Sequence, residues 1–235
     1  MIGILGAMHE EIKEIRKNVT NQKKIYIGDY EFITGKLANK EIVLAFSGIG
    51  KVNSATSATL MISKFNINKL VFVGIAGSIS KHFKIKDIII GDKLIQHDFD
   101  VSSFANSKLG DIPGEKDSVF RSNKVLMDTF IKISKNTKHN IKKGCILTGD
   151  QFISDKKKCE FLANYFNGAA VEMEGAAVAQ VCTKLKIPFL VLRMISDNAN
   201  DDAKIDYEKF KNESNIEFSE LLREFLSQEN KVGGF

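Results

Sequence analysis

Three short segments of the 235-residue sequence place acidic side chains directly after stretches with the pattern of buried strands. They are HEE at residues 9–11, EME at residues 172–174 and SDN at residues 196–198. Ligands of open α/β sheets bind in the crevice outside the carboxyl ends of the strands, so acids at three strand ends can meet at one site. Several carboxylates without a metal suit cleavage of a glycosidic bond. In that reaction one acid protonates the leaving group, another activates water, and negative charge stabilises an oxocarbenium-like transition state.

Each of these acids also has a purely structural interpretation. An acid in the first turn of a helix interacts with unpaired N–H groups and with the helix dipole, which is worth roughly 0.3–1 kcal/mol. That explains Glu174, at the start of the helix-like GAAVAQVCTKLK, but Glu172 still lies in or beside the preceding strand. HEE can be a solvated first helical turn, and Ser196 and Asp197 can form a turn or a cap. Three carboxylate-bearing strand ends together favour a shared site.

The acids lie at the ends of elements that the hydrophobic pattern predicts. Three segments of alternating apolar and polar residues, at 23–29, 30–37 and 40–48, predict antiparallel hairpins. Further strands are predicted at 2–7, 69–77, 87–98, 141–150, 169–173 and 188–196, and helices at 8–19, 52–65, 125–134, 157–166, 174–186 and from about residue 207. This order predicts a mixed sheet covered by helices on both faces. Residues 98–118 form the longest segment without periodicity, and such loops are usually functional.

The composition limits the class of protein. A hydrophobic fraction of 43% and a charged fraction of 27% indicate a globular protein, and 235 residues suit one α/β domain. No apolar stretch approaches the roughly 18 residues of a membrane span, and the initial MIGILGAM lacks the basic region of a signal peptide. Cys145, Cys159 and Cys182 form neither a close pair nor a metal-ligand spacing, so we expect inert thiols in a reducing compartment. We therefore expect a cytoplasmic protein without a membrane segment or a structural metal.

The net charge of +5 comes largely from lysine clusters at 135–143 and 155–160. These clusters lack interleaved aromatic residues, and no known nucleic-acid motif accompanies them. We interpret them as solvated faces, because lysine is rarely buried, and keep nucleic-acid binding as a weak alternative.

Two glycine-rich segments follow predicted strands. SGIGKVNSA (47–55) has Asn53 where a third glycine would complete a dinucleotide-binding fingerprint, and Lys51 lacks the upstream spacing of a P-loop. We reject both assignments. VGIAGS (73–78) predicts a tight turn that allows close backbone approach, which also suits a small ligand. Together with the turn at Gly6, these turns are expected to converge at one crevice.

Four motifs in register carry a specific resemblance to a known family. GAMHEE, SGIGKVNSA, VEMEGAA and RMISDNA occur in the order, and at nearly the spacings, of the bacterial 5'-methylthioadenosine/S-adenosylhomocysteine nucleosidases of the nucleoside phosphorylase superfamily. The resemblance runs from Met1 to the final helix. It implies a single domain (1–235) with a three-layer α/β/α sandwich around a central mixed β-sheet, a homodimer, and no metal or organic cofactor. The implied reaction hydrolyses the N-glycosidic bond of methylthioadenosine, S-adenosylhomocysteine and 5'-deoxyadenosine, and serves methionine salvage.

The resemblance also implies roles for individual residues. Glu11 would activate the water, and Asp197 would be the general acid toward adenine N7. The residues implied to bind substrate are Glu174 and the Met173 backbone at the ribose hydroxyls, Glu172 and Arg193 in support, Phe152 and the Ile153 backbone at adenine, Met8, Ile49 and Tyr207 at the 5'-thioalkyl group, and Gly77 and Ser196 beside them. Val101, Phe104 and Pro113, in the loop 98–118, match positions that the family supplies to the neighbouring subunit's pocket.

Two departures and three rival functions accompany the resemblance. Ile75 replaces a serine or threonine that relatives often carry near the catalytic aspartate, and Tyr207 stands where phenylalanine is common. A nucleoside phosphorylase would need cations for phosphate, which Glu10 and Glu11 would repel. A futalosine-type nucleosidase is a substrate variant that the sequence leaves open. A non-catalytic nucleoside-binding or surface protein would have little reason to keep Glu11 and Asp197 together.

Overall fold

The structure is a computed structural model that describes residues 1–103, 107–135, 137, 140–199 and 214–232. Within these residues there are nine strands and six helices. The strands are β1 (Ile2–Gly6), β2 (Thr20–Ile27), β3 (Tyr30–Leu37), β4 (Lys40–Phe46), β5 (Lys69–Ser78), β6 (Ile88–Gln96), β7 (Ile141–Thr148), β8 (Ala170–Glu172) and β9 (Phe189–Asp197). The helices are α1 (His9–Lys17), α2 (Lys51–Phe65), α3 (Lys124–Ser134), α4 (Lys156–Phe166), α5 (Gly175–Lys184) and α6 (Ser214–Val232).

All nine strands belong to one mixed sheet in the order β2-β3-β4-β1-β5-β8-β7-β6-β9. Strands β2, β3 and β4 are antiparallel neighbours, which confirms the predicted hairpins. Strand β1 lies parallel to both β4 and β5. Strand β9 pairs with β6 and also with β5, so β5, β8, β7, β6 and β9 form a closed ring.

Helices cover both faces of the sheet and form two hydrophobic clusters with it. One cluster combines strand residues with Ile12 and Ile15 of α1, Phe130 of α3 and Phe225 of α6. The other uses small and apolar residues of α2 and α5, such as Met61. Every residue of β9 and all but the first of β5 are buried, as expected for strands covered on both faces. The predicted three-layer α/β/α architecture is confirmed.

The structure differs from the sequence prediction at one glycine-rich segment. VGIAGS does not form a tight turn but continues β5 as far as Ser78. The pairing of β5 with β9 and β8 keeps the segment extended, so its glycines serve close packing rather than chain reversal. The C-terminal helix is described from Ser214 onward, and the predicted start near residue 207 lies outside the described residues.

Strand direction decides which ends meet. The carboxyl ends of β1, β4, β5 and β9 share one edge, because these strands are parallel neighbours. The short strand β8 runs antiparallel to β5 and contacts only its last two residues. Glu172, at the end of β8, therefore reaches the same edge from the opposite direction. Among the described helices, none is long and apolar enough to cross a membrane.

Candidate active site

A cavity of about 470 Å³ opens where these strand ends meet. Its walls come from the start of α1, the end of β5, the turn after β4, the segment after β8 and the end of β9. The lining residues are Ala7, Met8, Glu11, Ile49, Ile75, Ala76, Gly77, Phe152, Val171, Glu172, Met173, Glu174, Ser196 and Asp197. Among these described residues are four acids and no lysine, arginine or histidine. The 470 Å³ includes space that is open to solvent, and the lining is strongly acidic.

Glu11 is held by backbone amides at the start of α1. Its Oε2 atom accepts hydrogen bonds from the N–H groups of Ala7 (2.7 Å) and Met8 (3.0 Å), as a glutamate in the third helical position does when it reaches back to the cap. Its Oε1 atom accepts from the N–H of Ile75 (3.1 Å). Burial raises the pKa of Glu11 and outweighs the opposing effects of the Arg193 charge and these amides. A raised pKa makes the ionised carboxylate a stronger base in a fixed orientation.

Asp197 is fixed by its neighbours at the end of β9. The Ser196 hydroxyl donates to Oδ2 and the Ala199 N–H donates to Oδ1, both at 2.7 Å. Ala199 adopts a left-handed backbone conformation (φ 47°), and its carbonyl accepts a hydrogen bond from the Cys159 thiol at 3.0 Å. Ser196 therefore lines the cavity and also orients the acid. Hydrogen bonds from two neighbouring residues therefore hold the side chain of Asp197.

Two glycines of β5 give these acids room. A Cβ atom at Gly74 would lie 2.8 Å from Glu11 Oε1 and 3.2 Å from Arg193 Nη1. A Cβ atom at Gly77 would lie 2.7 Å from Asp197 Oδ1. Close approach, which the sequence predicted for this segment, is thus provided within a strand.

Glu172 forms a buried ion pair with Arg193. The guanidinium Nη2 and Nε atoms donate to Glu172 Oε2 at 2.6 and 3.1 Å. The same oxygen accepts from the N–H of Gly175 (2.7 Å), and Oε1 accepts from the Thr148 hydroxyl. Arg193 stacks on the Phe72 ring at 4.2 Å and is 1% exposed. Because its oxygens are already occupied, Glu172 is suited to supporting the site rather than to binding a ligand.

Fewer hydrogen bonds hold the Glu174 carboxyl group than hold that of Glu172. Glu174 is the residue that precedes α5, and its Oε1 atom accepts the N–H of Gly50 at 2.9 Å. Burial, followed by the nearby Glu172 charge, raises the pKa of Glu174 to about 8. This carboxyl keeps capacity for hydroxyl groups of a ligand.

Comparison with known proteins matches this fold and site. A family model described as the phosphorylase superfamily matches residues 1–227. The chain belongs to the phosphorylase superfamily. The aminodeoxyfutalosine nucleosidase of Helicobacter pylori is 40% identical over 229 residues, covering 97% of this chain and 98% of that protein. The 5'-methylthioadenosine/S-adenosylhomocysteine nucleosidase of Staphylococcus aureus is 35% identical over 229 residues, covering 97% of this chain and 100% of that protein.

A solved structure within the superfamily is closely similar. It is an aspartate-to-asparagine mutant of the Helicobacter pylori methylthioadenosine/S-adenosylhomocysteine nucleosidase with 5'-methylthioadenosine in its active site. The TM-score is 0.92 at 39% identity, and the match covers 97% of this chain and 98% of that one. A structure of the futalosine hydrolase of the same organism also has a TM-score of 0.92 at 39% identity, covering 97% of both chains.

In this superfamily member the remaining predicted residues fall into four groups. Met8, Ile49, Gly77, Phe152 and Met173 line the cavity, with Ile49 and Phe152 about half exposed at its mouth. Ile153 is buried next to the cavity, and Arg193 lies behind Glu172; neither is among the lining residues. Val101 and Pro113 do not line the cavity of their own chain, so their predicted role toward a neighbouring subunit stays a prediction. Phe104 and Tyr207 lie outside the described residues.

Several contributors were not singled out from the sequence. Ala7, Ala76 and Val171 line the cavity as small or apolar residues at strand ends. Thr148 holds Glu172, and the amide of Gly50 holds Glu174. Only the glycine-rich character of residues 47–55 hinted at the last of these contacts. In the described part of the chain, no three His, Cys, Asp or Glu side chains group as metal ligands would.

Replacing Glu174 should change how stability depends on pH. The raised pKa means that, between about pH 4.5 and about pH 8, the folded state holds a proton that the unfolded state has lost. The free energy of unfolding therefore falls with rising pH across this window. Glu174→Gln removes this pH dependence. On going from pH 5 to pH 8, the free energy of unfolding of the variant should therefore rise by about 2–4 kcal/mol relative to that of the parent. Urea unfolding at both pH values measures the gain.

The exposed Glu160, on α4, supplies a matched control. Glu160→Gln should change stability equally at the two pH values. A Glu174→Gln effect that is also the same at pH 5 and pH 8 would contradict the raised pKa.

Gly77→Ala should displace the aspartate. The added methyl group would lie 2.7 Å from Asp197 Oδ1, so the carboxyl must move. A misplacement of about 1 Å can cost about 10²-fold in rate, and we expect a loss of at least tenfold in kcat/KM for whichever nucleoside is turned over. Gly3→Ala, in β1, is the control, because the close contacts of its methyl would be with the flexible side chains of Ile67 and Met61, while the Lys69 carbonyl would lie at an ordinary 3.6 Å. Equal activity losses in the two folded variants would count against the close approach at Gly77.

Proposed function

We propose that this chain hydrolyses the N-glycosidic bond of adenine nucleosides with a 5'-substituted ribose. The substrates are 5'-methylthioadenosine and S-adenosylhomocysteine, with 5'-deoxyadenosine as a smaller variant, and the products are adenine and the 5-substituted ribose. One observation carries the proposal: Glu11, Glu174 and Asp197 face one buried cavity, each held by different partners. The names of the similar relatives support the same reaction class.

The partners of the three acids support a different role for each. Adenine is a poor leaving group as an anion, so N7 must receive a proton as the bond breaks. Asp197 gives that proton. Hydrogen bonds from Ser196 and Ala199 hold its carboxyl group toward the cavity. Glu11 takes a proton from the attacking water, and the Glu174 carboxyl forms hydrogen bonds with the ribose hydroxyls. The surrounding negative charge stabilises the oxocarbenium-like transition state.

Hydrolysis fits the cavity better than phosphorolysis. A phosphate co-substrate needs cations or clustered N–H groups. The amides of Ala7, Met8 and Ile75 point at the Glu11 carboxylate, and the described lining carries no cation. Arg193 is already paired with Glu172 behind the cavity. A water molecule is therefore the nucleophile that this environment accepts.

A second candidate substrate is aminodeoxyfutalosine. The relatives named for it are 40% identical to this chain, against 35% for those named for methylthioadenosine and S-adenosylhomocysteine. The acid chemistry at the base and ribose would be the same, and the two functions would differ only at the 5' substituent. Ile49 is half exposed at the cavity mouth, which leaves that end open to substituents of different size.

We also propose that two copies of the chain assemble, so that the loop 98–118 completes the neighbour's cavity. Val101 and Pro113 do not line their own cavity, while Ile49 and Phe152 expose apolar surface at its mouth. An apolar 5' group would be shielded by such a loop. The proposed setting is cytoplasmic methionine salvage, which disposes of these nucleosides.

Purine release from a panel of nucleosides tests the proposal. The purified protein should release adenine from methylthioadenosine and S-adenosylhomocysteine, with a rate that does not change when phosphate is added. Aminodeoxyfutalosine belongs in the same panel, and a kcat/KM for it more than about tenfold higher would transfer the function to the second candidate. Phosphate-dependent release would favour a phosphorylase, and no release from any nucleoside would favour a non-catalytic binding protein.

Two amide variants separate the acid from the base. Asp197→Asn can still hydrogen-bond to N7 but has no acidic proton, so adenine release should fall by at least about 10²-fold. Glu11→Gln should lose about as much, because the water is no longer activated. Initial rates with methylthioadenosine and with a nitrophenyl thioriboside, whose leaving group needs no proton, should distinguish the two. The nitrophenyl substrate should escape most of the Asp197→Asn loss but none of the Glu11→Gln loss.

Adenine binding by calorimetry is the control, and both variants should retain it. If Asp197→Asn impairs the two substrates equally, Asp197 orients the ribose and the protonation mechanism is wrong. If Glu11→Gln turns over methylthioadenosine at nearly the parent rate, another group activates the water.

A further inference from the structure

Lys51 and two aspartates join three turns at the mouth of the cavity. The Lys51 Nζ atom donates to Asp98 Oδ1 at 2.7 Å, and the Lys51 backbone N–H donates to Asp150 Oδ1 at 2.8 Å. Asp98 Oδ2 in turn accepts the N–H of Asp150 at 2.9 Å. Lys51 begins α2 after the turn that follows β4, Asp98 follows β6, and Asp150 follows β7. The three groups form a closed triangle across segments that are distant in sequence.

Two of the three side chains in the triangle are largely shielded from water, whereas Asp150 is about half exposed, at 49%. The side chains of Lys51 and Asp98 are 19% and 14% exposed. Burial alone would raise the pKa of Asp98, but the hydrogen bonds from Lys51 and from the Asp150 amide hold that pKa below its usual value. Loss of Lys51 would leave the Asp98 carboxylate without the lysine that pairs with it, in a partly desolvated place. Lys51 is committed to these carboxylates, so it is not available to bind an anion.

Two of the three turns that the triangle joins carry groups of the proposed substrate site. Gly50, next to Lys51, donates its amide to Glu174, and its positive φ of 96° is a backbone conformation that glycine adopts readily. Ile49, in the same turn, lines the cavity. Phe152, two residues after Asp150, lines it from the opposite turn. The triangle therefore fixes the spacing between the Gly50 amide, which binds Glu174, and the half-exposed side chains of Ile49 and Phe152 at the cavity mouth.

We propose that Lys51 is a positioning residue for substrate binding: by joining the three turns it keeps the Gly50 amide on Glu174 and holds Ile49 and Phe152 at the distance a nucleoside needs. This inference rests on the proposed function. It separates binding from chemistry, because Glu11 is held by the amides of Ala7 and Met8, and Asp197 is held by Ser196 and Ala199.

Lys51→Met keeps the length of the side chain and removes its charge. We expect KM for methylthioadenosine to rise by about tenfold or more, while kcat changes by less than about threefold, since a loss of uniform binding raises KM alone. The dissociation constant of methylthioadenosine with Glu11→Gln as the background, measured by calorimetry, should rise by the same factor. Lys64→Met, on the exposed end of α2, is the matched control and should change neither quantity.

Asp98→Asn changes the other partner of the Lys51–Asp98 contact, and it provides a second test if the Lys51 variant does not fold. It should also raise KM, and the Lys51→Met/Asp98→Asn double variant should show less than the product of the single effects, because both act on one contact. Lys51→Arg, which keeps the charge but not the shape, should recover part of the loss. A fall in kcat at unchanged KM, multiplicative effects in the double variant, or an equal effect of Lys64→Met would overturn the inference.

The proposed function can fail separately. If the parent protein binds methylthioadenosine but releases no adenine, the function is wrong, while the dissociation constants of the Lys51 and Asp98 variants still decide whether the triangle positions the ligand. If the parent protein neither binds nor turns over any nucleoside of the panel, both proposals are wrong.

Discussion

The buried ion pair between Glu172 and Arg193 is the interaction on which the site depends. Four acids surround one cavity, and each would lose hydration free energy on burial. The Arg193 charge opposes the burial effect on the pKa of both Glu11 and Glu174, and it pairs directly with Glu172. Removing one partner of a buried pair typically costs about 3–5 kcal/mol, because the other charge is left uncompensated. One guanidinium stacked on Phe72 therefore makes the acidic cavity possible.

The four acids differ in partners, and the partners make them different reagents. Glu172 is occupied by a guanidinium, a hydroxyl and a backbone amide, and so it is structural. Glu11 receives three backbone amides in a fixed orientation, whereas Glu174 receives one. Asp197 receives a hydroxyl and an amide from its own turn. Environment rather than residue type divides carboxylates into base, acid, ligand and support, as in other sites that run acid and base chemistry together.

The sequence predicted the elements well because their hydrophobic periods are strong and turn residues separate them. It also indicated the acids, since each follows an apolar strand. It could not predict that VGIAGS continues β5, because a glycine pair after an apolar run is the usual signal of a turn. The extended form depends on pairing with β9, which is more than a hundred residues away in the chain. For the same reason, the contacts of Thr148 with Glu172 and of Lys51 with Asp98 had no local signal.

The sequence predicted Glu172 at the correct edge of the sheet, although the rule behind that prediction does not describe β8. The rule about carboxyl ends of parallel strands locates the site at one edge, yet β8 runs against β5. Glu172 still arrives there because β8 has only three residues and overlaps only the end of β5.

The separation of chemistry from the cavity mouth accounts for how one fold can serve two kinds of substrate. Glu11, Asp197 and Glu174 are buried and hydrogen-bonded to backbone groups, and in the proposed function they act on the base and ribose common to all candidate nucleosides. Ile49 and Phe152 are half exposed on turns, where a substitution changes little of the core. Altered walls at the mouth would change which 5' substituent is accepted and leave the acids in place. Specificity in such a site is set by a few exposed residues, and sequence identity over the whole chain measures it poorly.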